Sequence, residues 1–254
     1  MADPPPRVLA AALSSTPSFD ENRCREAAAT RGNVAATHPR VADWLCGARG
    51  PNWQDCRVTA LQPPPIALEG RFIRLVPLHE TDLPELFEAI GTPEVFAGGY
   101  GGGPAGYRGT VDEFVEFGKG YYAFDRNIVY GVREADGTLV GTSTLGDFDL
   151  EREHAHIGWT AYAPRVWGTK VNPEAKLLML GHAFDHGIGR VKLQADSLND
   201  RSRAAILKLG AQFEGILRRD QLRPDGIWPS TAVYSILVDE WPAVRDGLLN
   251  RLDV

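Results

Sequence analysis

The segment Arg165-Val166-Trp167-Gly168-Thr169-Lys170-Val171-Asn172 carries the residue types needed to hold a pyrophosphate. Gly168 lets the backbone turn tightly and come close to a ligand. Asn172 reads as the N-cap of a helix, with Pro173 at its first position and Glu174 in its first turn. Such a helix start offers backbone N–H groups and the positive end of a dipole to an anion. Arg165 and Lys170 would flank it with two cations. The same residues also fit a plain strand–turn–helix corner with good caps, and spacing alone leaves both readings open. A nucleotide-hydrolase P-loop is excluded, because Lys170 lacks a preceding glycine and is followed by Val171.

These residues need elements to position them. Polar and apolar residues alternate over 71–76, which predicts a strand. Residues 81–90 carry a cap, an early proline and one apolar face, and read as a helix. The glycine run 98–103 predicts a flexible loop between helices, since glycine loses the most entropy on being fixed. Thr110 and Glu113 form a capping box that opens a helix over 111–119. Strands over 127–133 and 138–145 flank Asp136-Gly137, a hairpin turn signal, and a third follows at 155–162. Beyond the phosphate-type loop come a helix (172–186), a strand (190–196), a helix (199–209) closed by Gly210, strands at 212–221 and 229–237, and a helix at 240–252. Strand and helix mix without regular alternation, so the fold class is α+β around a mostly antiparallel central sheet flanked by helices.

Composition narrows the function. Hydrophobic residues make up 43% and charged residues 24% of the 254, which is ordinary for a globular chain. A net charge of -6 argues against a nucleic-acid partner, which would need cationic patches. No run approaches the roughly 20 apolar residues of a membrane span, so no membrane partner is expected. Cys24, Cys46 and Cys56 match no zinc spacing; no metal and a cytoplasmic location are expected. Before Pro63-Pro64-Pro65 the chain lacks any sustained period. Residues 1–65 therefore read as a disordered or weakly ordered extension, and 66–254 as the folded domain.

The segment from Arg165 resembles the pyrophosphate loop of the GNAT superfamily of N-acetyltransferases, Q/R-x-x-G-x-G/A. Arg165 and Gly168 match, and Lys170 stands where a small residue is usual. The longer string IGWTAYAPRVWGTKVNPEAKLLML is similar to the branch containing the ribosomal-protein N-terminal alanine and serine acetyltransferases. The superfamily's N-x-x-S-x-x-x-x-x-x-x-G pattern is kept at Asn199, Ser202 and Gly210. The resemblance runs from about residue 68 to 254.

The resemblance implies acetyl-CoA as donor, held at the pyrophosphate by 165–172, and direct attack of a neutral amine on the thioester. Backbone groups of 158–162 would hold the pantetheine arm. Asn199 would bond that arm, or serve only as N-cap of the following helix. Ser202 would protonate the leaving thiolate, with Tyr162 as second candidate, although a first-turn serine can also simply satisfy the backbone. His156 stands where the branch often has an acidic residue. A histidine accepts a proton near neutrality, or it is structural beside His154. An acetyl-cysteine route is not expected, because no cysteine follows Cys56. The acceptor would be a protein N-terminus or a small amine, in a pocket shaped by the glycine run with Tyr100, Tyr107, Tyr121, Tyr122 and Phe124. A homodimer through strand edges is compatible with this fold. The alternative is an acyl-CoA sensor or scaffold that keeps the donor loop without acceptor chemistry.

Overall fold

The computed structural model describes residues 60–223 and 225–253. Most of the expected extension, including all three cysteines, lies outside the described residues. The strands are β1 (Leu68–Glu69), β2 (Ile73–Pro77), β3 (Ile128–Glu134), β4 (Leu139–Asp149), β5 (His154–Tyr162), β6 (Arg190–Asp196), β7 (Gln212–Leu217) and β8 (Thr231–Leu237). They form one sheet of order β1-β2-β3-β4-β5-β6-β8-β7. Every neighbouring pair is antiparallel except β5–β6, which is parallel. The α+β, mostly antiparallel architecture is therefore the observed one.

The helices are α1 (Leu83–Ile90), α2 (Pro93–Ala97), α3 (Val111–Tyr122), α4 (Val171–Asp185), α5 (Asp200–Lys208) and α6 (Trp241–Asp253). Two apolar clusters flank the sheet. One gathers α4 and α6 residues such as Met179, Leu180 and Leu248, and the other gathers Leu83, Phe96, Phe114 and Tyr122 from α1–α3. Strand β3 serves both, since Ile128, Tyr130 and Val132 enter the first and Val129 the second. That division follows from the two-residue side-chain period of a strand. Met179 and Leu180 are fully buried, each worth about 1.5–3 kcal/mol of transfer free energy.

Local chemistry sets several boundaries as expected. Thr110 caps α3 by accepting from the Glu113 amide at 3.3 Å, and Glu113 accepts from the Gly109 amide at 3.1 Å. Gly210 ends α5 with φ +97°. The glycine run differs from expectation: residues 100–102 and 104–106 form short 3-10 turns between α2 and α3, with Gly101 and Gly106 buried. Glycine tolerates positive φ, and 99, 101, 102 and 103 all adopt it. The run is thus a packed corner. The first strand β1 and the short helix α2 were too brief for any periodicity to announce.

Helix α4 starts at Val171, one residue earlier than the sequence suggests, with Lys170 at the cap position and no side-chain cap bond. Asn172 is not the cap, because its Oδ1 accepts from the Tyr162 hydroxyl at 3.2 Å. Glu174 also has more to do than complement a dipole. Its buried carboxylate accepts from the amides of Arg71, Phe72 and Ile73 at 2.7, 2.8 and 2.8 Å, pinning α4 to the β1–β2 turn. The described residues before 66 pack on the domain. Ala60 is buried, the Leu61 amide donates to the His186 carbonyl at 2.9 Å, and His182 Nε2 lies 2.9 Å from the Pro64 carbonyl. Among the described residues, no helix is long and apolar enough to cross a membrane.

Candidate functional site

Strands β5 and β6 pair only at His154–Arg190, Ala155–Val191 and His156–Lys192. Beyond that point they part, and β6 continues its pairing with β8 alone. The cause lies in β5. Thr142 of β4 faces Ala161 while Thr144 faces Gly158, so β5 holds one extra residue there. Trp159 in that stretch has φ +49°. An extra residue bends a strand away from its neighbour. Gly158 is needed at the bend, since a Cβ there would lie 2.7 Å from His156 ring atoms.

The splay opens a cleft of ≈ 510 Å³. Ile157, Gly158, Thr160 and Tyr162 line one wall, and Leu193 to Asp196 line the other. Val166, Trp167, Gly168 and Asn172 close one end, and Asn199 and Ser202 of the α5 start lie beside it. Gly98, Gly99, Tyr100 and Tyr121 reach it from the corner between α2 and α3 and from α3 itself. Of the residues singled out from sequence, the cleft unites His156, Tyr162, Val166, Trp167, Gly168, Asn172, Asn199 and Ser202.

It does not unite Arg165, Thr169, Lys170 and Val171. Arg165 pairs with Glu134 at the end of β3, away from the cleft. Lys170 Nζ donates to the Leu252 carbonyl at 2.8 Å and sits 4.8 Å from the Phe72 ring centroid. That carbonyl is in the last turn of α6, where the dipole favours a cation. The expected pair of phosphate-flanking cations is therefore absent from the cleft as it stands. Val171 is buried in the core, and the Thr169 hydroxyl donates to the Val166 carbonyl at 2.7 Å. What faces the cleft end is backbone. Gly168 has φ +74° with open space where a Cβ would lie, and the amides of Gly168, Lys170 and Asn172 donate to no other backbone carbonyl among the described residues. Free amides at a helix start suit an anion.

His156 lies at the closed apex of the splay and is 4% exposed. Its Nδ1 is 3.0 Å from Asp147 Oδ2, while the buried Nε2 has no partner. A carboxylate accepts from Nδ1–H, which leaves the Nε2 lone pair available. Burial pushes the His156 pKa down, with Asp147 opposing that shift. Asp147 adopts φ +49° in an irregular stretch of β4, and Lys192 Nζ stands 3.9 Å from its carboxylate. Non-glycine residues in this region are strained, and such strain concentrates at functional sites.

Tyr162 donates to Asn172, and burial raises its phenol pKa above the usual range. The Asn199 side chain is engaged at both its oxygen and its nitrogen. Its Oδ1 accepts from the Ser202 amide at 3.0 Å as N-cap, and its Nδ2 donates to the Gly98 carbonyl at 2.6 Å. Close by, the Arg201 guanidinium stacks 4.1 Å from the Trp167 ring centroid. The cleft residues that escaped the sequence reading include Asp147 and the buried Lys176. Neither belongs to a motif; the one local hint was an acidic residue just after a glycine at the end of β4. Among the described residues no group of three or more His, Cys, Asp or Glu could hold a metal ion.

A mostly antiparallel sheet splayed at its one parallel joint, with a helix start facing the splay, is the architecture of N-acetyltransferases. The acetyltransferase (GNAT) domain family matches residues 73–212. An acetyltransferase structure from T. thermophilus shares 30% identity, with 76% of this chain and 100% of that one covered and a TM-score of 0.66. A GCN5-related N-acetyltransferase from Brucella melitensis shares 26% identity over 77% of this chain and 89% of that one, with a TM-score of 0.68. Mycobacterium smegmatis RimJ, solved with CoA-disulfide, is similar in fold (21% identity, 72% and 92% covered, TM-score 0.59). No curated protein matches the chain. The chain belongs to the GNAT acetyltransferase family.

Proposed function

We propose that this protein transfers the acetyl group of acetyl-CoA to a primary amine, on a protein N-terminus or a small molecule, by direct attack in a ternary complex. The observation that carries this reading is the cleft itself: free amides of Gly168, Lys170 and Asn172 at one end, and the unpartnered Nε2 of a carboxylate-bound histidine at the other. The donor supplies an activated thioester carbon. The amides of Gly168, Lys170 and Asn172 would hold its pyrophosphate, and the β5 edge over 158–162 would align its pantetheine arm. Aligning both reactants can by itself supply several kcal/mol.

His156 Nε2 is the group to take the proton from the attacking amine, with Asp147 fixing the tautomer. An α-amino group with a pKa near 7.7–8.0 needs only modest help of this kind. Ser202 Oγ is the better source of a proton for the departing sulfur. The Tyr162 phenol holds its proton tightly and already spends it on Asn172.

Calorimetric titration of acetyl-CoA into the full chain and into Gly168→Asp tests the donor site. Saturable binding that the new carboxylate abolishes is the expected result; absence of binding to the folded wild-type chain would sink the reading. Thiol release with N-terminal peptides, free amino acids, polyamines and aminoglycosides then sorts the acceptors. Binding without release on any amine would favour a sensor.

A further inference from the structure

Lys176 is the least expected residue of the cleft wall. It lies on α4, is 4% exposed, and donates from Nζ to Ser143 Oγ at 2.7 Å and to Thr160 Oγ1 at 2.9 Å. The two hydroxyls are themselves 2.8 Å apart, so amine and hydroxyls close a triangle joining α4, β4 and β5. No carboxylate belongs to it. Glu174, on the same helix, is turned to the amides of Arg71–Ile73. Burial without a counter-charge brings the Lys176 pKa down to about 7. A methionine would fill the same space without that desolvation.

The position of the triangle gives the lysine a purpose. Ser143 lies between Thr142 and Thr144, where the β4–β5 register slips, and Thr160 lies opposite in the extra-residue stretch of β5. The Thr160 hydroxyl also reaches the Gly158 carbonyl at 3.3 Å. The triangle therefore spans the bulge that opens the cleft. Hydroxyls can donate or accept, so the cluster stays satisfied whether the amine is protonated or neutral.

We propose that Lys176 is a positioning residue for acetyl transfer: through Ser143 and Thr160 it holds the 158–160 bulge of β5 in the form that presents its backbone edge to the thioester. This rests on the donor site argued above. The charged and titratable groups that line the cleft with Lys176 include His156 and Tyr162 on β5, Asp147 on β4 and Lys192 on β6. Positive charge on Lys176 or Lys192 disfavours protonation of His156.

The test compares the full-length wild type with Lys176→Met and, should that variant fold poorly, Ser143→Ala. Hydrogen exchange of the 158–160 amides is read without ligand, alongside Tm, kcat and the KM for amine. The expected result is a folded Lys176→Met protein, at least as heat-stable as wild type at pH 7, whose bulge amides exchange about tenfold faster or more. Its kcat should fall about tenfold or more with KM held within about threefold, because small misplacements act on the chemical step. Bulge exchange within about twofold of wild type overturns the proposal, even if activity falls. So does an undiminished kcat. A wild-type chain that neither binds acetyl-CoA nor releases thiol removes the donor reading instead, and the exchange result still decides whether the clamp exists.

Discussion

Protonation of His156 governs the acid side of the proposed reaction. Burial disfavours the imidazolium, so the acid limb of kcat/KM is expected below the ordinary histidine value of about 6.5. Asp147→Asn removes the charge that opposes this shift, so the limb moves further down in pH. The same change loosens the tautomer, and kcat should fall about tenfold or more. An unchanged limb and rate in this variant would remove His156 from the role of base. Lys176 makes a second, thermodynamic prediction. Its folded pKa of about 7 lies below an unfolded value of about 10.4. Between these values the unfolded chain binds more protons, so this group's contribution to stability rises with pH and its penalty is complete below about 7. The Tm advantage of Lys176→Met over wild type should be largest at pH 7 and shrink toward pH 10; a constant difference across that range would contradict the depressed pKa. Neither Lys176 nor Asp147 was legible in the sequence. A lone helix lysine reads as solvated, and the partners that define it lie 33 and 16 residues away.

At the scale of elements, α4 shows where sequence signals succeed and where they mislead. The strand end, the turn at Gly168 and a helix directly after it were all legible, because they follow from local backbone chemistry. The cap was not. Asn172 has the right residue type for an N-cap, but a tertiary partner, Tyr162, claims its side chain. Asn199 has the same type and does cap its helix, so type alone cannot separate the two. Arg165 and Lys170 were placed beside the phosphates by charge, and Glu134 and the α6 terminus hold them elsewhere. Glu174 gives the sharpest test of α4 docking. Glu174→Ala would leave the Arg71, Phe72 and Ile73 amides without their acceptor. The Ile73 amide is buried, and the loss should amount to about 3 kcal/mol in all. For a domain of this size that lowers Tm by about 6–12 °C. Glu174→Gln keeps one acceptor oxygen and should fall between. A Glu174→Ala melting curve that overlays wild type would mean the turn finds other acceptors.

The whole molecule depends on contacts that no local pattern encodes. Alternation and turn residues gave the α+β class, but the insertion of β8 between β6 and β7, and the parallel β5–β6 joint that makes the cleft, are matters of long-range order. The start of the domain is another such matter. Composition changes at Pro63-Pro64-Pro65, and the stretch up to 65 reads as a disordered or weakly ordered extension. Yet Pro63 is buried, Ala60 enters the main apolar cluster, and the extended stretch runs along α4. Proline does not need to donate there, since its carbonyl serves: Pro64 accepts from His182, whose side chain is largely buried. A chain beginning at residue 67 would leave that imidazole without its acceptor and expose the end of α4 where Leu61 is bound. It should lose about 2–3 kcal/mol and melt about 4–12 °C below a chain beginning at Ala60. Equal melting of the two truncations would show that 60–66 rests on the domain without supporting it, and the composition boundary would then be the physical one.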